Sequence, residues 1–162
     1  MNKEAKYWIK KLDLSKHPEG GYYRETYRCS IKILYKNRYR SISSGIYFLL
    51  DGSEFSAFHR LRSDEMWHFY AGGSLTLHVI SRHRRYSLIK LGNDLEDGDV
   101  FHTVIRYGSW FGATVDDRLS YSLLGCTVSP GFDFQDFELG QRKKLIEMYP
   151  EYRSIIEKLT RN

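Results

Sequence analysis

A chain of 162 residues has the length of one domain and can bury a core around a single pocket. Aromatic residues make up 15% of the chain, including 13 Tyr, which is more typical of pleated strands and pocket walls than of a helical bundle. The formal charge of +5 is scattered along the sequence and accompanies no nucleic-acid-binding motif, so we expect no nucleic-acid partner.

The first predicted element is an amphipathic helix over residues 3–12, where four apolar side chains recur at helical spacing. Residues 17–21, with the sequence His-Pro-Glu-Gly-Gly, then interrupt the chain. No apolar segment reaches the roughly 18 residues that a membrane span needs, and no secretory signal is recognisable. We therefore expect a cytoplasmic protein that contacts no membrane and keeps its two cysteines, Cys29 and Cys126, as free thiols.

Short strands separated by turn signals fill the middle of the chain. The predicted strands are 22–28, 42–50, 54–61, 65–70, 74–80, 84–90, 99–105, 110–116, 119–128 and 132–137. Dipeptides such as Asp51-Gly52 and Pro130-Gly131 mark the turns between them. Many short strands in one continuous stretch predict an all-β sandwich or barrel rather than alternating βαβ units.

Helical spacing returns over about residues 140–160, with Pro150 at the start of a second helical segment. No internal repeat and no low-complexity linker divides the sequence. We therefore predict one domain over residues 1–162, with the barrel at about residues 20–137 and the C-terminal helices on its outside or at one end.

The predicted strand at residues 55–61 carries the first candidate site residue, His59. Strand alternation places the odd-numbered side chains on one face and the even-numbered ones, including Ser56, on the other. The odd-numbered face is apolar apart from His59. We therefore predict that His59 points into the barrel, where burial would lower its pKa and keep the imidazole neutral.

Glu65 is the second candidate, on the strand that follows. It shares a strand face with Trp67 and Phe69, so we expect its side chain to point inward as well. A carboxyl group buried without a partner is costly, which leaves a role in a pocket and a structural bond to the backbone as equal alternatives. His68 faces the opposite way in a regular strand, and only a bulge would turn it inward.

These residues resemble the first motif of the cupin superfamily. That motif has the order Gly, His-x-His, three or four residues, Glu, six residues, Gly. The sequence contains Gly52, His59, Glu65 and Gly72 at this spacing, but Leu61 replaces the second His. The resemblance implies a double-stranded β-helix, or jelly roll, which refines the predicted all-β barrel with a short N-terminal helix and C-terminal helices.

The second cupin motif is only weakly similar to residues 106–111. Its Gly is retained as Gly108, and Phe111 occupies the position of its His. Two of the four family metal ligands therefore remain, His59 and Glu65. A divalent metal such as Fe, Mn, Zn or Ni would need a further ligand or more water here, because Leu and Phe donate nothing to a cation.

A more specific resemblance extends over most of the chain. Four phrases, in order, resemble the fifth cupin family, long catalogued as a domain of unknown function: residues 17–25, 46–50, 64–72 and 129–134. The resemblance implies a homodimer that associates through its sheets. It implies no established reaction.

Five further residues are candidates for ligand binding. Trp67 and Trp110 are either core aromatics or pocket walls on which a ligand ring could stack. Tyr23 and Arg24 are either ordinary strand residues or, at the barrel mouth, contacts for a carboxylate or phosphate. His68 is either an outer-face residue or, through its proximity to Glu65, part of the site.

Three functions are compatible with these residues, each with a small-molecule partner. The leading hypothesis is an epimerase or isomerase acting on a sugar or another carbonyl compound, similar to the metal-free sugar-nucleotide epimerases among cupins. His59 would then take a proton and Tyr121 or Tyr107 would return one. The alternatives are a metal-dependent dioxygenase or decarboxylase with His59 and Glu65 as ligands, and a cupin that binds a ligand without catalysis.

Overall fold

The computed structural model describes residues 1–161, which contain three α-helices. Helix α1 is Lys3–Lys11, α2 is Arg142–Met148 and α3 is Arg153–Lys158. Asn2 caps α1, because its side-chain oxygen accepts hydrogen bonds from the backbone N–H groups of Glu4 and Ala5. The helix predicted at residues 3–12 is confirmed, as is helical structure near the C-terminus.

Thirteen strands lie between the helices in the described part of the chain. They are β1 Ser15–Lys16, β2 Tyr22–Arg28, β3 Lys32–Tyr35, β4 Arg38–Ser41, β5 Ser44–Asp51, β6 Phe55–Leu61, β7 Asp64–Gly72, β8 Leu75–Ile80, β9 Tyr86–Leu91, β10 His102–Ile105, β11 Trp110–Val115, β12 Tyr121–Ser129 and β13 Phe137–Leu139. A six-stranded antiparallel sheet has the order β1-β2-β5-β12-β7-β10, and a five-stranded one has the order β13-β6-β11-β8-β9. Strands β3 and β4 form a separate hairpin. This arrangement confirms the predicted jelly roll.

One end of the interior between the two sheets is filled by apolar side chains. This packed end consists of Phe48, Leu50, Trp67, Leu75, Leu77, Val79, Leu91, Ile105, Phe111, Ala113, Val115, Leu124 and Cys126. Strand alternation supplies these side chains, because every second residue of each strand points between the sheets. Each leucine-sized side chain buried there contributes roughly 1.5–3 kcal/mol to stability.

The helices cover the outer faces of the sheets. Leu145 of α2 and Ile156 of α3 pack against Phe58 and Trp110, on the outer face of the five-stranded sheet. Helix α1 packs against the six-stranded sheet, with Ala5 in a cluster that contains Leu49, Tyr121 and Leu123. No helix in residues 1–161 is both long and apolar enough to cross a membrane.

The structure differs from the predicted strands in three regions. Strand β1 and the hairpin of β3 and β4 were not predicted. The strand predicted at residues 132–137 is instead an irregular segment with a short 3₁₀ turn at Phe134–Asp136, followed by β13. The reason is local, because Asp133 caps this turn by accepting a hydrogen bond from the backbone N–H of Gln135 at 2.9 Å.

The predicted alternation along residues 55–61 is wrong for the first half of β6. Phe111 of β11 pairs with His59, whereas Ala113 pairs with Ser56, so three residues of β6 match two of β11. This β-bulge shifts the alternation by one residue. Ser56 therefore lies on the inner side with His59, and Phe55 packs outward near Phe58.

Candidate active site

A cavity of about 380 Å³ occupies the other end of the interior, and Phe48, Trp67 and Cys126 lie at its boundary with the packed end. This volume lies within the range that small-molecule sites usually show. Its lining comes from both sheets and from the segments before β2 and after β12: His17, Glu19, Tyr23, Glu25, Arg28, Ser44, Ile46, Phe48, His59, Leu61, Glu65, Trp67, Cys126, Val128, Phe132, Asp133, Phe134 and Phe137. Most of the wall is apolar, and the polar groups are concentrated in a few positions.

The innermost polar contact joins a glutamate and a histidine. Glu19 Oε2 lies 3.1 Å from His59 Nε2, and both side chains are almost fully buried. His59 Nδ1 lies 2.8 Å from the Ala57 carbonyl oxygen. Because a carbonyl can only accept, Nδ1 carries the ring proton and Nε2 is the acceptor in the neutral imidazole.

Burial keeps this pair uncharged. Removal from water lowers the pKa of His59 to about 3 and raises the pKa of Glu19 well above its usual value, with the nearby Glu65 carboxyl raising it further. The proton between the two side chains therefore belongs to Glu19, which donates it to His59 Nε2. The pair is a carboxylic acid held in place by a neutral imidazole.

The turn before β2 brings Glu19 into the cavity. Gly20 and Gly21 have φ of 116° and 72°, conformations that glycine adopts at little cost, and a Cβ on Gly20 would lie 2.3 Å from the carbonyl oxygen of Phe55. The Glu19 carbonyl accepts a hydrogen bond from the Ala57 N–H at 2.8 Å. Ser56, turned inward by the bulge, donates its hydroxyl to Glu19 Oε1 at 2.9 Å.

His17 completes this corner of the cavity. Its Nδ1 lies 3.3 Å from Glu19 Oε2, and burial lowers its pKa to about 4. Its ring contacts the edges of Tyr23 and Phe137 at centroid distances of 4.6 and 5.8 Å. His17 is therefore a second neutral imidazole beside the Glu19 carboxyl.

Glu65 lies on β7 of the six-stranded sheet, whereas His59 lies on β6 of the five-stranded sheet. Glu65 is only 7% exposed, and its Oε2 atom is buried with no hydrogen-bond partner within residues 1–161. Burial raises the pKa of this carboxyl to about 7, and the neighbouring side chains of Trp67 and Cys126 oppose part of that rise by hydrogen bonding to the carboxyl group. A group with this pKa can both take and give a proton near neutral pH.

The mouth of the cavity is formed by the segment at residues 132–137. Buried Arg40 holds this segment, because its guanidinium donates hydrogen bonds to Asp136 Oδ2 and to the Gly131 carbonyl. Arg38 adds a second ion pair to Asp136 at 2.6 Å. The β3–β4 hairpin, which carries both arginines, thus positions the aromatic residues at the mouth.

The sequence matches the family model described as "Cupin superfamily (DUF985)" over residues 6–140. The chain belongs to this cupin family. No curated protein matches it. The resemblance predicted from the four phrases is therefore confirmed, and the closed cavity between the sheets is the interior of a cupin barrel.

Solved structures agree with this assignment. A Shewanella oneidensis protein is 42% identical, with a TM-score of 0.89 over 99% of this chain and 98% of its own. A hypothetical protein from Leishmania major is 35% identical, with a TM-score of 0.92 over the whole of both chains. An oxalate decarboxylase from Bacillus subtilis is 12% identical, with a TM-score of 0.56 over 91% of this chain and 38% of its own, a likeness that concerns the fold alone.

The cupin cavity brings together four of the seven residues that the sequence singled out. His59, Glu65, Tyr23 and Trp67 line it. Within the lining, the ring of Tyr23 contacts the ring of His17.

The other three lie outside the lining. Arg24, which follows Tyr23 on β2, is exposed and its side chain is not part of the lining. His68 faces away from the interior, as strand alternation predicted, and its Nε2 lies 3.4 Å from Thr127 Oγ1. Trp110 packs under the C-terminal helices, because its neighbour Phe111 takes the inward position on β11.

Neither tyrosine considered as a proton donor reaches the cavity. Tyr121 accepts a hydrogen bond from Trp8 Nε1 at 2.9 Å on the outer face of the six-stranded sheet. Tyr107 is 45% exposed, with the Arg82 guanidinium over its ring. Neither phenol can therefore exchange a proton with a ligand in the cavity.

Sequence reasoning missed Glu19 and His17. Their signal was present in residues 17–21, which were interpreted only as a break in the chain and as part of a family phrase. Within residues 1–161, no three His, Cys, Asp or Glu side chains are grouped so that they could hold a metal ion. Leu61 and Phe111 occupy the two motif positions that lack a histidine, and the Phe111 ring lies 4.1 Å from the His59 ring.

Proposed function

We propose that this cupin is an isomerase or epimerase that moves a proton next to the carbonyl group of a small metabolite. The observation that carries the proposal is the placement of two different carboxyl groups in one enclosed cavity. Glu65 has a free oxygen, and Glu19 is hydrogen-bonded to His59 and Ser56. Two carboxyl groups with unequal surroundings are suited to act as a base and an acid.

Glu65 is the proposed general base. Its Oε2 has no partner among the described residues, so the lone pairs of this atom are available to a substrate C–H group. In its ionised form, Glu65 takes the proton from the carbon next to the carbonyl. Its raised pKa makes it a stronger base than an ordinary glutamate.

Glu19 is the proposed general acid. It turns its O–H from His59 Nε2 to the substrate carbonyl oxygen and donates the proton there as Glu65 removes the C–H proton, so the substrate becomes an enol. In an α-hydroxycarbonyl substrate, Glu65 then delivers its proton to the former carbonyl carbon and Glu19 recovers the proton of the neighbouring hydroxyl, which gives the isomeric carbonyl compound and leaves the enzyme unchanged. His59 is a positioning residue, because its Nε2 and the Ser56 hydroxyl hold the two Glu19 oxygens.

Exchange of hydrogen for deuterium tests this proposal without a known product. The protein is incubated in D₂O with a panel of ketoses, aldoses, aminoketones and 2-oxo acids, and loss of the C–H signal is followed by ¹H NMR. We expect at least one compound to exchange faster than in buffer. Glu65→Gln should slow that exchange by about 10²- to 10⁴-fold, because an amide cannot take the proton.

Glu96→Gln is the matched control, since Glu96 is an exposed glutamate in the short 3₁₀ helix Leu95–Asp97, outside the cavity lining. This variant should catalyse hydrogen–deuterium exchange at the same rate as the unmodified protein. Absence of exchange with every compound in the panel, or full exchange by Glu65→Gln, contradicts the proposal.

We also propose that the protein is a cytoplasmic homodimer. Two observations support this. Cys29 and Cys126 are both free thiols, and the β3–β4 hairpin exposes large apolar side chains, with Leu34 at 66% and Tyr39 at 74% exposure.

A further inference from the structure

The charge of the cavity lining is unbalanced. Within the described chain, the lining contains four acidic side chains, the protonated Glu19 together with Glu25, Glu65 and Asp133. Its one Arg or Lys side chain is Arg28. The guanidinium of Arg28 already donates to both carboxylate oxygens of Glu25, at 2.8 and 2.5 Å, and to the Phe132 carbonyl at 3.0 Å. An anionic ligand would therefore find no free cation in the lining.

A buried acceptor in the same cavity lacks a donor. Glu65 Oε2 is an unpartnered oxygen on a side chain that is 93% buried, and it belongs to the cavity wall. A buried carboxyl oxygen without a donor costs roughly 1–3 kcal/mol, and more when ionised. A ligand that brings N–H donors and positive charge would remove this cost, whereas a carboxylate or phosphate would increase it.

The rest of the wall is aromatic. The rings that line the cavity are Tyr23, Phe48, Trp67, Phe132, Phe134 and Phe137. Aromatic faces attract cations, by roughly 0.5–2 kcal/mol each when water is excluded. Carboxyl oxygens and aromatic rings are the two surroundings that stabilise an organic ammonium group, and this cavity lining contains both.

We propose that the cavity selects a small organic cation, with its protonated amine beside the Glu65 carboxyl, which also reaches the adjacent C–H group, and its carbon skeleton against the aromatic wall. The substrate of the reaction would then be an amine-bearing carbonyl compound rather than a carboxylate, a phosphate ester or a sugar nucleotide. The identification of this ligand as a substrate rests on the proposed function. The preference for a cation rests on the lining alone.

Three ring compounds that differ in charge test the preference: cyclohexylammonium, cyclohexanol and cyclohexanecarboxylate. Their dissociation constants are measured at neutral pH from chemical-shift changes in ¹H–¹⁵N NMR spectra. We expect cyclohexylammonium to bind at least about tenfold more tightly than cyclohexanol and the carboxylate to bind more weakly than both. In Glu65→Gln, the advantage of the ammonium over the alcohol should largely disappear, while cyclohexanol still binds.

Glu96→Gln again serves as the control, because it removes the same charge from the surface and should retain the preference. Equal binding of the alcohol and the ammonium, or tighter binding of the carboxylate, overturns the inference. A cation preference without deuterium exchange keeps the ligand class and rejects the proton-transfer function. If only neutral or anionic compounds exchange hydrogen for deuterium, the proton-transfer function is kept and the preference for a cation is rejected.

Discussion

The two ends of the barrel interior hold different side chains, although the same strands run through both. On β7, Phe69 packs toward the filled end, whereas Glu65 faces the cavity. On β12, Leu124 belongs to the packed end and Val128 to the cavity wall. The filled end supplies the stability that allows the other end to keep buried polar groups without full hydrogen bonding.

This comparison predicts that substitutions at the two ends have opposite effects on stability. Leu77→Ala removes a fully buried side chain from the packed end and should lower the free energy of unfolding by about 4 kcal/mol. Leu88→Ala, on the neighbouring strand β9, is the control, because Leu88 is 59% exposed and should change stability by less than about 0.5 kcal/mol. Urea denaturation measures both. Equal effects would mean that the packed end is not the source of stability.

The mouth of the cavity depends on one buried ion pair. Arg40→Met should destabilise the protein by about 3 kcal/mol, because Asp136 would keep only its bond to Arg38. Arg60→Met is the comparison, since the ion pair of Arg60 with Glu138 is exposed and should contribute less than about 1 kcal/mol. Thermal unfolding of both variants distinguishes the buried pair from the exposed one. Similar losses would contradict the role of Arg40.

At the cavity end, replacing a polar group by an apolar one should stabilise the protein. Glu65→Leu removes the carboxyl oxygen that has no partner among residues 1–161, and we expect a gain of about 1–3 kcal/mol in urea denaturation together with loss of exchange activity. Lower stability in this variant would show that Glu65 has a structural role.

Much of the fold could be predicted from sequence because its determinants are local. The helix at α1 follows from apolar spacing, and most strands follow from alternation between turn residues. The bulge in β6 could not be predicted, since it depends on the register with β11. The sequence left open whether Trp110 is a core aromatic or a pocket wall, and the first alternative holds because two adjacent strand residues cannot both point inward and Phe111 takes that position.

The site was only half predictable for a similar reason. Glu65 and His59 followed from strand faces and a motif. Glu19 is 40 positions before His59, and the contact between them depends on the fold of a turn that brings distant parts of the chain together. A contact between two residues so far apart in the chain leaves no periodic pattern in the sequence from which it could be predicted.

The ionisation of Glu65 tests the central claim most directly, because that claim is that this carboxyl group is buried in the cavity wall with its Oε2 lacking a hydrogen-bond partner among residues 1–161. ¹³C NMR of the side-chain carboxyl, assigned by its absence in Glu65→Gln, gives its pKa. We predict a midpoint of about 7. A midpoint near the ordinary value of 4.5 would show that the group is solvated or paired, and would contradict the proposed base.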